Sequence, residues 1–226
     1  MIKPISLVAL LLAVGTGLMA QKRPYGGFDA QKILIPGDPS TGKSPAVNGG
    51  YLDSWVDALS EHARNWPVSF DSEADKAQAI RDVKFLMEIM DTLNEPDKPN
   101  PELLRRAGFI NAIAHNLDVK GASRKAVEYF DRLMKVAPND ALGNQMYGAF
   151  LGGAGHPKEA IPFLQKADSL GNTSAIFSLG MSYLMTGDKS KALECFERYK
   201  KAVPQDKSVD QLIEAIKNGR IEFKRS

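Results

Sequence analysis

Gly37-Asp38-Pro39-Ser40-Thr41-Gly42-Lys43-Ser44 matches the phosphate-binding pattern G-x-x-x-x-G-K-[ST] at every fixed position. In that motif backbone amides curl round the phosphates, and a helix starting at the lysine aims its positive end at them. Ile33-Leu34-Ile35 even imitates the strand that should come first. The helix that should come next has no room. Pro45 biases Ser44 away from helical angles, and Asn48-Gly49-Gly50 would end a helix within one turn. Nor does a βαβ unit follow to carry an acidic magnesium ligand. Residues 37–44 read as a polar loop, and a nucleotide-hydrolysing role for them is the weakest of the functional readings.

The remaining reactive side chains are scattered. His62, His115 and His156 fall on separate helices or turns, without metal-ligand spacing. His62 beside the helix of Trp55 reads as solvated, and His156 before Pro157-Lys158-Glu159 reads as an exposed or capping residue at a helix start. Cys195 is the single cysteine, so an intrachain disulfide and a zinc site of paired thiolates are both ruled out. Between Glu194 and Phe196 it reads as a packed thiol without a base. Asn172-Thr173-Ser174 matches a glycosylation acceptor by chance. The expectation is a non-enzyme with no catalytic residue, cofactor or metal. With 29 basic and 27 acidic residues, a formal charge of +2, the chain lacks the field that nucleic-acid binding needs.

The elements that position side chains follow a clear order. Lys3 precedes the apolar run Ile5 to Val14, and a small residue, Ala20, closes the segment, so residues 1–20 read as a signal peptide rather than an uncleaved anchor, and the mature protein as periplasmic or secreted. Residues 21–50, rich in Gly, Pro, Ser and Asn, read as a flexible or extended arm. Leu52, Trp55, Val56, Leu59 and Ala63 recur at helical spacing up to Trp66-Pro67. Ser72, with Asp75 three residues on, opens a second helix carrying Ala79, Val83, Leu86, Met90 and Leu93 on one seam. Residues 51–95 thus form a helical pair, closed by Pro96, Pro99 and Pro101.

Beyond it one pattern of small and large apolar residues recurs three times, over 107–140, 141–172 and 173–206. The last copy has Leu179, Gly180 and Tyr183 on a first helix, Gly187-Asp188 at a turn, Ala192 and Phe196 on a second helix, and Pro204 after it. The first copy sets Ala114, Leu117, Gly121, Ala126, Phe130 and Pro138 in the same order. The middle copy keeps Gly148, Leu151, Gly155, Ala160, Leu164 and Ala167 but is two residues shorter and lacks the proline. This pattern resembles the tetratricopeptide repeat, and the junction from Ala167 to Asn172 resembles the related Sel1-like repeat. The resemblance spans about 110 residues. It implies an all-α fold: a short right-handed α-solenoid of about three helical hairpins plus a capping helix at 207–218, within a repeat region of 102–218, preceded by the extra helical pair and followed by a tail at 219–226. Gly180 and Ala192 would let helix backbones approach, while Tyr183 and Phe196 would pack one pair on the next.

The same resemblance places the fifth, ninth and thirteenth residues of each repeat on a concave surface. These are Asn111, His115 and Val119, then Gln145, Ala149 and Gly153, then Phe177, Met181 and Met185. Such a surface runs from polar to apolar and adaptable, unless the last three are instead buried beneath the arm or the closing helix. None of these positions is Lys or Arg, so the family's clamp for a terminal carboxylate is missing. The chain reads as an adaptor or scaffold of the cell envelope that holds a peptide segment or helix of another protein, with no nucleic acid or nucleotide as partner. The alternative is a structural component that self-associates as a homo-oligomer.

Overall fold

The computed structural model describes residues 24–38, 40–42 and 46–221. The apolar run at 1–20, Lys43 to Pro45 and the end of the tail lie outside them. Among the described residues nine helices follow one another: α1 (Gly49–Ala63), α2 (Glu73–Leu93), α3 (Pro101–Asn116), α4 (Ala122–Val136), α5 (Ala141–Gly153), α6 (Pro157–Ser169), α7 (Thr173–Met185), α8 (Lys189–Ala202) and α9 (Ser208–Lys217). None is long and apolar enough to cross a membrane. The single sheet among these residues is an antiparallel ribbon of two-residue strands, β1 (Leu34–Ile35) against β2 (Ala46–Val47), with Leu34 opposite Val47.

Local chemistry sets the helix starts. The Ser72 hydroxyl accepts from the Asp75 amide at 3.1 Å, and the Asn100 side chain accepts from the amides of Glu102 and Leu103, with Pro101 in the first turn where no amide is needed. Asn48-Gly49-Gly50, which by composition should end a helix, starts one: the Asn48 side-chain Oδ1 accepts from the Tyr51 amide. The first repeat also begins earlier than its pattern suggests, because α3 starts at Pro101, six residues before Ala107.

The hairpins α3–α4, α5–α6 and α7–α8 form an all-α solenoid, and α9 closes it by burying Val209, Leu212, Ile213 and Ile216. Each hairpin locks a glycine of its first helix under a large side chain of its second. A β-carbon at Gly180 would lie 2.7 Å from the Phe196 ring, at Gly148 2.5 Å from Leu164, and at Gly108 2.7 Å from the Phe130 ring. The Phe196 volume therefore fills the hairpin's own interior rather than only the gap to a neighbour. Between hairpins, rings take over: Phe130 stacks on Tyr147 at 5.1 Å, and Tyr147 also meets Phe163 of its own hairpin at 4.4 Å.

Ahead of the repeats, α1 and α2 both flank α3, and they meet through Trp55 and Phe85, whose rings stack at 5.7 Å. The segment before α1 is anchored. Ile33, at the end of a 3-10 turn, is fully buried, and the buried Tyr25 hydroxyl accepts from the Trp55 indole and donates to Asp82 on α2 at 2.9 Å.

Candidate partner-binding surface

The first helices α3, α5 and α7 lie directly against one another, whereas the second helices α4, α6 and α8 splay apart. The first helices therefore form the inner wall of the stack and the second helices its outer wall. On the inner wall α5 and α7 approach closely at Gly152, where a β-carbon would lie 3.3 Å from the Ser182 hydroxyl. Ser182 is buried and bonds back to the Ser178 carbonyl.

Positions four apart on these helices share a face. On α3, however, Asn111 is completely buried, its amide donating to the Ala107 carbonyl at 2.8 Å, so it faces the core and not a partner. A rotation of one residue separates a groove position from a core position. His115 is half-buried with its ring edge-on to Phe150 at 5.8 Å. Val119 sits in the turn after α3, half-buried. On α5, Gln145 and Ala149 are half-buried and Gly153 is open, with nothing within 4 Å of where its β-carbon would be.

On α7, Phe177, Met181 and Met185 make one half-buried stripe. Phe177 leans on its own hairpin, 5.5 Å from the Phe196 ring and 5.3 Å from Tyr199. Met181 and Met185 offer the more adaptable surface, with flexible thioethers that fit varied partners. The arm does not cover this stripe, being docked on α1 at the other end of the chain.

The reactive side chains sit apart from this wall or from one another. In the loop at 37–42, the Asp38 carboxylate accepts from the Ser40 amide at 2.9 Å and from its hydroxyl at 2.6 Å. Those bonds hold its carboxyl below the usual carboxylate range. The loop thus turns donors onto its own carboxylate; Lys43 to Pro45 lie outside the described residues, and the described chain resumes at β2, with a helix opening at Gly49. His62 is half-buried rather than solvated: it stacks on Phe70 at 5.0 Å, meets Tyr25 edge-on, and its Nδ1 lies 2.8 Å from the Ser69 carbonyl, because the segment after α1 doubles back over it. His156 precedes α6 and pairs with Glu159 at 3.2 Å. Cys195 is packed, and burial pushes its thiol up to about 11. Among the described residues no group of three His, Cys, Asp or Glu is placed to hold a metal ion.

Two features had no signal in the spacing of residues. One is a series of tyrosine hydroxyls that donate to carboxylates: Tyr25 to Asp82, Tyr129 to Asp91, Tyr147 to Asp131 and Tyr199 to Asp206. The other is a pair of depressions on the outer wall beside Tyr183. The spacing of a tyrosine gives no hint of its acceptor, which lies up to 57 residues away.

Residues 174–206 match the family model of the tetratricopeptide repeat. Among solved structures the chain is similar to a thermophilic TPR protein of Thermus thermophilus, at 15% identity over 74% of this chain and 91% of that one, with a TM-score of 0.51. It is similar to YrrB, described as a TPR protein with an unusual peptide-binding site, at 15% identity over 73% and 81% of the two chains, with a TM-score of 0.50. A MamA structure aligns at 23% identity over 66% and 80%, with a TM-score of 0.48. No curated protein matches the sequence. The likeness to these structures is one of fold.

Proposed function

We propose that this tetratricopeptide-repeat protein is a non-catalytic adaptor of the cell envelope, whose inner wall holds an extended segment or a helix of another protein. The observation that carries the reading is the half-buried stripe of Phe177, Met181 and Met185 on α7, in the same hairpin that matches the family model. Next to it, Gln145 and Ala149 on α5 leave a polar and open stretch. An apolar end beside a polar one fits a partner segment with apolar anchors at one end and backbone or polar groups at the other. The envelope location rests on Lys3 and the apolar run from Ile5 to Val14.

Affinity capture from an envelope extract, with the chain from residue 21 onward as bait, tests this reading. Retention of one or a few envelope proteins is expected, and Met181→Glu should release them while leaving the helical content unchanged. An identical retained set with both baits would remove the inner wall as the binding surface. A second reading, self-association, has its own observation: Leu34 and Ile35 on the two-stranded ribbon are 56% and 48% exposed. Sedimentation decides it, since a homo-oligomer dissociated by Leu34→Lys would make the ribbon the contact.

A further inference from the structure

The inner and outer walls differ in charge. Over their full lengths the first helices α5 and α7 hold no Asp, Glu, Lys, Arg or His. The second helices α4, α6 and α8 each carry both basic and acidic side chains. The first helix α3 has Glu102, Arg105 and Arg106, but these are closed in ion pairs, Arg105 with Asp140 and Arg106 with Glu102 and Asp53. Its His115 turns its ring edge-on to Phe150. The carboxylates at the two ends of the α5–α7 wall are also engaged: Asp140, before α5, by Arg105, and Asp188, after α7, by Lys191. The side chains that α5 and α7 leave half-buried are apolar or neutral, with Gln145 and Ser178 the polar ones. A charged side chain set against such a wall loses water and finds no counter-charge, a cost that falls on either sign alike. A wall of this kind discriminates by penalty as well as by attraction.

We infer that the α5–α7 wall selects a partner segment with no charged side chain over at least about 12 Å, the rise from Phe177 to Met185 along α7. Apolar side chains of that segment seat on Phe177, Met181 and Met185, and its neutral polar groups meet Gln145. The inference rests on the adaptor reading and names the chemistry of the partner that the reading leaves open. Acidic and basic segments are both turned away, whereas a wall with a field of its own would reject one and attract the other.

The test uses the full chain and three fluorescent decapeptides, blocked at both ends and alike except at two positions: SLQALLNQAS, SLEALLNEAS and SLKALLNKAS. Saturable binding of the neutral peptide is expected, with the acidic and the basic peptide each weaker by at least about tenfold, and with an affinity for the neutral peptide that added salt does not lower. Met181→Lys should change the order for one sign only, so that the acidic peptide overtakes the neutral one, while Lys158→Glu on the outer wall should change nothing. Preference of the unaltered chain for either charged peptide would overturn the inference. So would equal affinity for all three, saturation by none of them, or an order that Met181→Lys leaves as it was. The capture experiment separates this result from the reading beneath it. Partners that Met181→Glu releases, but whose bound segment carries charges, would sink the inference and leave the adaptor in place; partners that Met181→Glu does not release would remove the adaptor reading itself.

Discussion

At the amino-terminal end the first hairpin is covered by side chains of large area, Trp55 with Phe28 stacked on it at 5.2 Å, Phe85 on its other side and Tyr25 bonded to its indole. At the carboxy-terminal end the last hairpin is covered by a ten-residue helix, α9, which presents four aliphatic side chains at helical spacing. One end is closed by an irregular plug assembled from three separate segments, the other by a continuation of the repeat itself. In a stack where each unit touches only its neighbours, an end is exposed apolar surface that something must cover. A regular cover needs only the periodic pattern. The irregular one needs contacts between residues far apart in the chain, and it puts much of its stability into a few rings.

The sharpest way to break this comparison is Trp55→Ala. Trp55 is 1% exposed and joins the arm, α1 and α2, so its removal should cost about 3–5 kcal/mol in chemical denaturation. Hydrogen exchange should show where the loss falls: protection should drop over residues 24–93 and persist in α8 and α9, with Ile213→Ala giving the reverse. A uniform loss of protection in both variants would mean that the ends are not independent closures.

Inside the repeats the expected effects are smaller and depend on space. Gly180→Val puts a branched side chain where the Phe196 ring already lies, and overpacking of this kind should cost up to about 3 kcal/mol. Gly153→Ala, where the space is open and the backbone stays helical, should instead be neutral or stabilising by about 0.5–1 kcal/mol. Melting curves of the two variants separate them. If both destabilised equally, the glycines would matter for chain flexibility and not for the close approach that builds each hairpin.

The repeats were largely legible because their fold rests on local spacing. Gly180, Ala192 and Phe196 lie where a helical hairpin requires them, and the apolar seam from Ala79 to Met90 is the buried face of α2. The plug was not legible in this way. Tyr25 and Ile33 sit in a stretch without period, and only the position of Asp82 and Trp55 explains why they are buried. Asn48-Gly49-Gly50 carried a composition typical of breaks, yet an asparagine side chain at a free helix start is also a cap. In the inner wall, spacing put Asn111 on a face but could not say that its side chain would be fully buried and bonded back to the Ala107 carbonyl. The depressions beside Tyr183 follow from the placement of whole helices, which no motif records.

The tyrosine–carboxylate bonds run through both regions and give the finest test of how they differ. Burial first, and then the bonds to Asp82, Asp91 and Asp131, raise Tyr25, Tyr129 and Tyr147 above the ordinary tyrosine value. A group whose folded-state value is raised adds stability that is complete below the unfolded value, about 10, and is lost as pH climbs beyond it, because the unfolded chain gives up its protons first. Denaturation midpoints should therefore hold up to about pH 10 and fall above it. Tyr147→Phe loses one hydrogen bond to an exposed carboxylate and should cost about 1 kcal/mol at neutral pH. Tyr25→Phe leaves the buried Asp82 and the Trp55 indole each short of a partner, so its cost should be higher, about 1–2 kcal/mol. Both variants should flatten the alkaline fall. If Tyr25→Phe flattened it no more than Tyr147→Phe, the plug would be no drier than the interior of the repeats, and the two would differ in shape but not in how they hold a buried hydroxyl.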